Sequence, residues 1–197
     1  MPERITDEVL LVKAGKGDQA AFVELYERYR IPIFRFAYRL LGAADLAEDV
    51  THDCFLNVVR NAGNFNPAYG SLRTYLYAAA RNLAFKQFRR SGREAALDDL
   101  EEQPLTPVKQ HPLRQLLDEE LAEKVRAAVS QLPPLQREAL VLFEYEDLPL
   151  SEIARVVGTD VGAVKSRLHR ARQRVKSALT PYLNSDPEIV TLEKSLK

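Results

Sequence analysis

A chain of 197 residues that is 46% hydrophobic has enough apolar material for one large core or two small ones. Its 28 basic and 28 acidic residues cancel, so bulk charge gives no hold on a polyanion, and only a segregated distribution can supply one. A single cysteine excludes an internal disulfide, and the absence of a signal peptide or a membrane-length apolar run reads as a cytoplasmic protein.

Thr6 to Ala14 reads as a short helix stopped by Gly15 and Gly17. Asp18 is placed to cap the next helix, whose apolar face is Ala21, Phe22, Leu25, Tyr26 and Tyr29. Pro32 bends or restarts it, and Ile33, Phe34, Phe36, Ala37, Leu40 and Leu41 continue it to Gly42. Asp45 is placed to cap a helix through about Asn61, with Leu46, Val50, Cys54 and Val58 facing the core. Asp49, Asp53 and Asn57 fall on another face, beside His52. Asn64 to Gly70 is a loop by its Asn, Pro and Gly. Ser71 caps a helix to about Arg90, with Leu72, Tyr75, Leu76, Ala79 and Leu83 inward.

Ser91 to Leu117 has no sustained period and carries Gly92, Pro104, Pro107 and Pro112, so it reads as a linker. Helices resume at Asp118: Leu121 to Val129, then Leu135 to Tyr145 after Pro133-Pro134. Ser151 is placed to cap a short helix with Leu150, Ile153, Ala154 and Val157 inward. Gly158 supplies the left-handed residue that ends it, and Asp160 caps the next. There Val161, Val164, Leu168, Ala171 and Val175 form the apolar stripe. The tail after Pro181 reads as frayed. No strand pattern is present, so the expected fold is all-α, two small helical domains on a flexible acidic linker. The expected boundaries are 1–91, a linker at 92–117, a second domain at 118–182 and a tail at 183–197.

Charge is segregated along this framework. Arg60 to Arg93 holds seven cations and no acid, and Val161 to Ser185 holds no acid at all. The acids of Glu94 to Glu123 lie between, among them Asp98, Asp99, Glu101 and Glu102, placed to mimic phosphates or simply to keep a linker solvated. Two short helices, a glycine turn and a basic second helix are what a helix-turn-helix needs to put cations against phosphates and base edges. In the first basic block Phe65, Tyr69, Tyr75, Tyr77, Phe85 and Phe88 interleave with Arg73, Arg81, Lys86, Arg89 and Arg90. Such a mixture binds single-stranded nucleic acid: cations follow the backbone and rings stack on unpaired bases. Asn82 is suited to a base edge. The bland reading of this block is that some rings are core and the arginines face solvent. Cys54 reads as core. His52, His111 and His169 do not cluster, so no metal site, no cofactor and no catalytic set is expected.

The stretches DQAAFVELYERY (Asp18 to Tyr29), AEDVTHDCFLNVVRN (Ala47 to Asn61), GSLRTYLYAAARNLA (Gly70 to Ala84), LPPLQREALVL (Leu132 to Leu142) and LSEIARVVGTDVGAVKSRLHRARQRVK (Leu150 to Lys176) together resemble the extracytoplasmic-function group of bacterial RNA polymerase sigma factors. The resemblance covers most of the chain in that family's order. It implies a sigma-2-like domain, a sigma-4-like domain and no catalytic activity. It implies that the Ala47–Asn61 helix docks on the clamp helices of the polymerase beta-prime subunit, with Asp49, His52 and Asp53 at the contact positions, and that the carboxy-terminal domain meets the beta flap. THD stands where most members have VQE. The resemblance also implies that Asn64 to Arg90 reads and melts the minus-ten element, through Phe65, Tyr69, Arg73, Asn82, Lys86 and Arg89. The second helix of the carboxy-terminal pair would read the minus-thirty-five element. Lys165, Ser166, His169 and Arg170 match its base- and phosphate-facing positions, with Arg167, Arg172 and Arg174 as DNA-backbone contacts or packing cations. An anti-sigma factor is a further partner the family implies. The family often has Trp where this chain has Val59 and Tyr75. Two rivals make different demands: a stand-alone helix-turn-helix regulator has no need of residues 64–90, and a recombinase needs a nucleophile or metal-binding acids.

Overall fold

The computed structural model describes residues 5–90 and 114–185. Helices α1 (Asp7–Gly15), α2 (Gln19–Leu41), α3 (Ala44–Arg60) and α4 (Leu72–Arg90) form the first group. Helices α5 (Arg114–Ser130), α6 (Pro134–Glu144), α7 (Leu150–Val157) and α8 (Val161–Ser185) form the second. There is no strand among the described residues. Helix α2 is the spine of the first group and packs on α1, α3 and α4; α8 is the spine of the second and packs on α5, α6 and α7.

Helix α2 runs unbroken through Pro32, where the sequence predicted a bend or restart. An internal proline costs about 3 kcal/mol. Leu25, Ile33, Phe36 and Leu40, all fully buried, line one face across it. Each such side chain contributes about 1.5–3 kcal/mol on burial, so packing outweighs the break. Asp18 accepts from the Ala21 amide at 3.0 Å, and Gly42 closes the helix at φ 73°, both as the sequence predicted.

Val50, Cys54, Phe55 and Val58 of α3 and Leu72, Leu76 and Tyr77 of α4 share one buried core with this face of α2. The rings of Phe36 and Tyr77 meet edge to face at 5.2 Å. Cys54 is the core residue expected, and burial pushes its thiol pKa up to about 12, which leaves it unreactive. Leu46, expected inward, is half-buried, and Ala47 and Phe55 take the buried places beside it.

Several expected boundaries move. Asp45 does not cap α3: Ala43 holds the cap position and Asp45 lies in the first turn, where its charge favours the helix N-terminus. Ser151 does not cap α7 either. That helix starts one residue earlier behind Pro149, whose φ of −65° suits a helix entry. Helix α5 begins at Arg114, inside the segment read as linker, and α6 begins at Pro134. Helix α8 passes Pro181 and reaches Ser185, so the chain does not fray at the proline. The acids Asp98, Asp99, Glu101 and Glu102 lie outside the described residues.

Candidate polymerase and nucleic-acid interface

Three surfaces carry the residues singled out by the sequence. The first is the outer face of α3. Burying Val50, Cys54 and Val58 turns Asp49, His52 and Asp53 outward, and all three are exposed. Two carboxylates one turn apart and a histidine between them form an acidic patch, suited to a basic partner surface.

The second surface is the 62–70 segment with α4. Two single 3₁₀ turns, Ala62–Asn64 and Pro67–Tyr69, give the segment its shape, and the Asn66 side chain accepts from the Ala68 amide at 3.0 Å. Gly70 adopts φ 145°, which a side chain rarely tolerates. Ser71 caps α4 by accepting from the Thr74 amide at 3.2 Å. The two predicted stacking rings have different surroundings. Tyr69 is 77% exposed. Phe65 is half-buried and packs on Tyr75, ring centroids 5.6 Å apart. Asn82, Lys86 and Arg89 are exposed along α4, and the Asn82 carbonyl accepts from Arg81 at 3.5 Å. Arg73 points instead into the second helical group, where it donates to the Glu146 backbone carbonyl and lies over the Tyr77 ring.

The third surface is α8. Asp160 accepts from the Ala163 amide at 2.9 Å, which caps the helix and holds the Asp160 carboxyl below the usual carboxylate range. Val164, Leu168 and Ala171 are buried and Val161 and Val175 half-buried, so the predicted stripe sets the rotation of α8 against α6 and α7. Lys165, Ser166, His169 and Arg170 emerge on the exposed side. The Arg170 guanidinium donates to the Ser166 carbonyl at 3.4 Å. Arg167 turns inward to Glu138 at 3.2 Å. Arg172 pairs with Glu144 at 2.7 Å and lies over the Phe143 ring, which makes it a packing cation here.

Sequence reasoning missed the acids that face these cations. Glu138 and Glu146 are buried and receive Arg81, Arg167, Arg39 and Tyr77. The available signal was an acid inside the apolar run LPPLQREALVL, a position that demands a partner.

Among the described residues no group of acids, histidines or cysteines is placed to hold a metal ion. No described helix is long and apolar enough to cross a membrane.

Comparison with known proteins agrees with this layout. The sigma-70 region 2 family matches residues 25–94 and the sigma-70 region 4 family matches residues 122–175. The chain is 32% identical over 186 residues to the RNA polymerase sigma-H factor of Pseudomonas aeruginosa, covering 90% of this chain and 95% of that one. It is 30% identical over 172 residues to the ECF RNA polymerase sigma factor SigW of Bacillus subtilis, covering 83% and 91%. The chain belongs to the ECF RNA polymerase sigma factors.

It is 35% identical over 172 residues to another ECF sigma factor, SigE of Mycolicibacterium smegmatis, covering 84% of this chain and 65% of that longer one. Among solved structures it is similar to the sigma factor RpoE of Bartonella quintana, crystallised in complex with the anti-sigma factor NepR. There the TM-score is 0.61 at 25% identity, over 81% of this chain and 96% of that one. CnrH, solved in complex with the cytosolic domain of CnrY, shares the fold with a TM-score of 0.65 at 24% identity, over 89% and 97%. The region 2 match falls on α2–α4 and the region 4 match on α5–α8, so the described helices carry a sigma-2 and a sigma-4 part in that order.

Proposed function

We propose that this sigma factor acts in the cytoplasm as a dissociable polymerase subunit with no catalysis of its own, its two domains reading two promoter elements. The first domain spans about 1–91 and the second about 118–182. The acidic face of α3, Asp49, His52 and Asp53, docks on the beta-prime clamp helices, and the second domain meets the beta flap. Tyr69 and Phe65 hold unpaired bases of the minus-ten element, with Arg73, Asn82, Lys86 and Arg89 along the strand. Helix α8 enters the major groove at the minus-thirty-five element.

The observation that supports this best is the rotation of α8. Its stripe is buried, and Lys165, Ser166 and His169 stand exposed in its first turns, where a recognition helix contacts base edges. An anti-sigma factor is a further partner, by analogy with the Bartonella quintana protein solved with NepR.

The test is reconstitution with core polymerase and mapping of transcription starts. Starts should appear at a defined set of promoters and vanish without the chain. Sequence-specific duplex binding by the chain alone, with no new start in holoenzyme, would replace this reading with a stand-alone helix-turn-helix regulator.

A further inference from the structure

Helix α1 is tied to α2 at its start and to the 62–70 segment at its end. Asp7 accepts from Arg28 at 2.6 Å and from the Tyr29 hydroxyl, and Arg28 also donates to the Ile5 carbonyl at 2.9 Å. Leu10, Leu11 and Ala14 bury the inner face of the helix. At Gly15, its last residue, a Cβ would lie 2.7 Å from the Cβ of Ala62 and 3.4 Å from the Val59 carbonyl oxygen.

That approach is what the missing side chain permits. Gly15 is helical, and alanine is the better helix former, so backbone conformation does not call for glycine here. Two carbon atoms rest at about 3.5–4.0 Å, so a methyl group at position 15 fits only if the backbone at Ala62 withdraws by about 1 Å. An alanine Cβ has no rotamer into which it can retreat. A Cβ at Gly63, in the same turn as Ala62, would meet nothing, so the crowding belongs to the Gly15–Ala62 contact alone.

The contact leads to the rings proposed to hold bases. Ala62 opens the first 3₁₀ turn, and its carbonyl accepts from the Phe65 amide at 3.2 Å. Asn66 then caps the second turn, which carries Tyr69. Phe65 and Tyr69 thus follow two consecutive turns whose upstream anchor is Ala62 on Gly15, and whose downstream anchor is the Ser71 cap of α4. A site of this kind must be held within about 0.5 Å, less than the displacement a methyl at 15 would impose.

We infer that Gly15 is a positioning residue for minus-ten recognition. It lets α1 seat the 62–70 segment so that Phe65 and Tyr69 stand where unpaired bases arrive. This rests on the reading of that segment as the holder of unpaired bases.

The test uses holoenzyme at a promoter identified by start mapping, with 2-aminopurine in the minus-ten segment to report unpaired bases. Gly15→Ala should lower open-complex formation on the closed duplex by about tenfold, recover in part on a premelted bubble, and leave affinity for core polymerase unchanged. Adding Ala62→Gly removes the opposing Cβ and should return the chain close to the level of Ala62→Gly alone. Tyr69→Ala should cost much less in the Gly15→Ala chain than in wild type, because a ring already out of place has little left to lose. Unchanged open-complex formation in Gly15→Ala overturns the inference. So does a loss that Ala62→Gly does not restore, which is destabilisation alone, or a loss that multiplies fully with that of Tyr69→Ala. Tyr69→Ala separates the two claims. Without effect in wild type, it overturns the base-holding reading and the inference with it. A loss there with none in Gly15→Ala overturns the role of Gly15 and leaves that reading standing.

Discussion

Removing the ring of Tyr69 separates a base-stacking role from a structural one. The side chain is 77% exposed and sits on a 3₁₀ turn held by the Asn66 side chain and by backbone bonds, none of which involve the ring. Tyr69→Ala should therefore change stability by at most about 0.5 kcal/mol. Stacking one base on an aromatic contributes about 1–3 kcal/mol, a factor of about 5 to 150 in open-complex formation. Phe65→Ala is the weaker test. Its ring packs on Tyr75, and losing that contact costs about 0.5–1.5 kcal/mol beyond buried area, so a defect would mix folding with binding. The assay is open-complex formation by holoenzyme on a closed duplex promoter and on a premelted bubble, with thermal unfolding alongside. Tyr69→Ala should fall on the duplex, recover in part on the bubble, and unfold like wild type. Equal activity on the closed duplex would refute the role of the ring. An equal loss on duplex and bubble would move Tyr69 from melting to general affinity.

Asp49→Lys with Asp53→Lys should weaken binding to core polymerase by about tenfold or more, since reversing charges at a complementary interface makes repulsion of attraction, and should leave thermal stability close to wild type. Unchanged core affinity in a direct titration would remove α3 from the interface. Lys165→Ala in holoenzyme should cost about 1–3 kcal/mol at one position of the upstream element, read from a promoter library; a loss spread evenly over all sequences would make Lys165 a phosphate contact. The Asp160 cap gives a pH dependence. Its folded pKa is depressed below 3.8 because the ionised carboxylate accepts from the Ala163 amide, so the cap is fully present above that value and is lost as pH falls through the folded pKa. Exchange protection of the Ala163 amide should drop over that acid range and not between pH 5 and 8.

Much of this architecture was legible because it is local. Asp18 and Asp160 cap as predicted, and Gly42 and Gly158 end helices in the left-handed region, since each depends only on neighbours within one turn. The stripe of α8 was legible for a related reason: one buried face produces one clean period. Ser151 and Asp45 failed as caps because the helix had already started one or two residues earlier, at boundaries that packing decides. Helix α4 shows the harder limit. Leu72 and Leu76 are buried as expected, but Tyr75, Ala79 and Leu83 are only half-buried. Thr74, Tyr77 and Phe85 are buried instead. That helix has two sets of neighbours, α2 and α3 on one side and α7 on the other, so no single stripe describes it. Periodicity reports a face and is silent on which distant helix will cover a second one.

The same limit explains why the charge map looked simpler in the sequence than in the fold. A basic block and an acidic block separated in sequence suggested surfaces and a spacer. In space, the acids that matter for α4 and α8 come from the apolar α6 and its following turn. Glu138, Glu144 and Glu146 take up Arg81, Arg167, Arg172 and Arg39. The cations of the proposed DNA surfaces thus fall into two sets. Lys86, Arg89 and Lys165 face solvent and are open to a phosphate at first encounter. Arg73, Arg81 and Arg167 already have protein acceptors, on Glu146 and Glu138, that would compete with a phosphate.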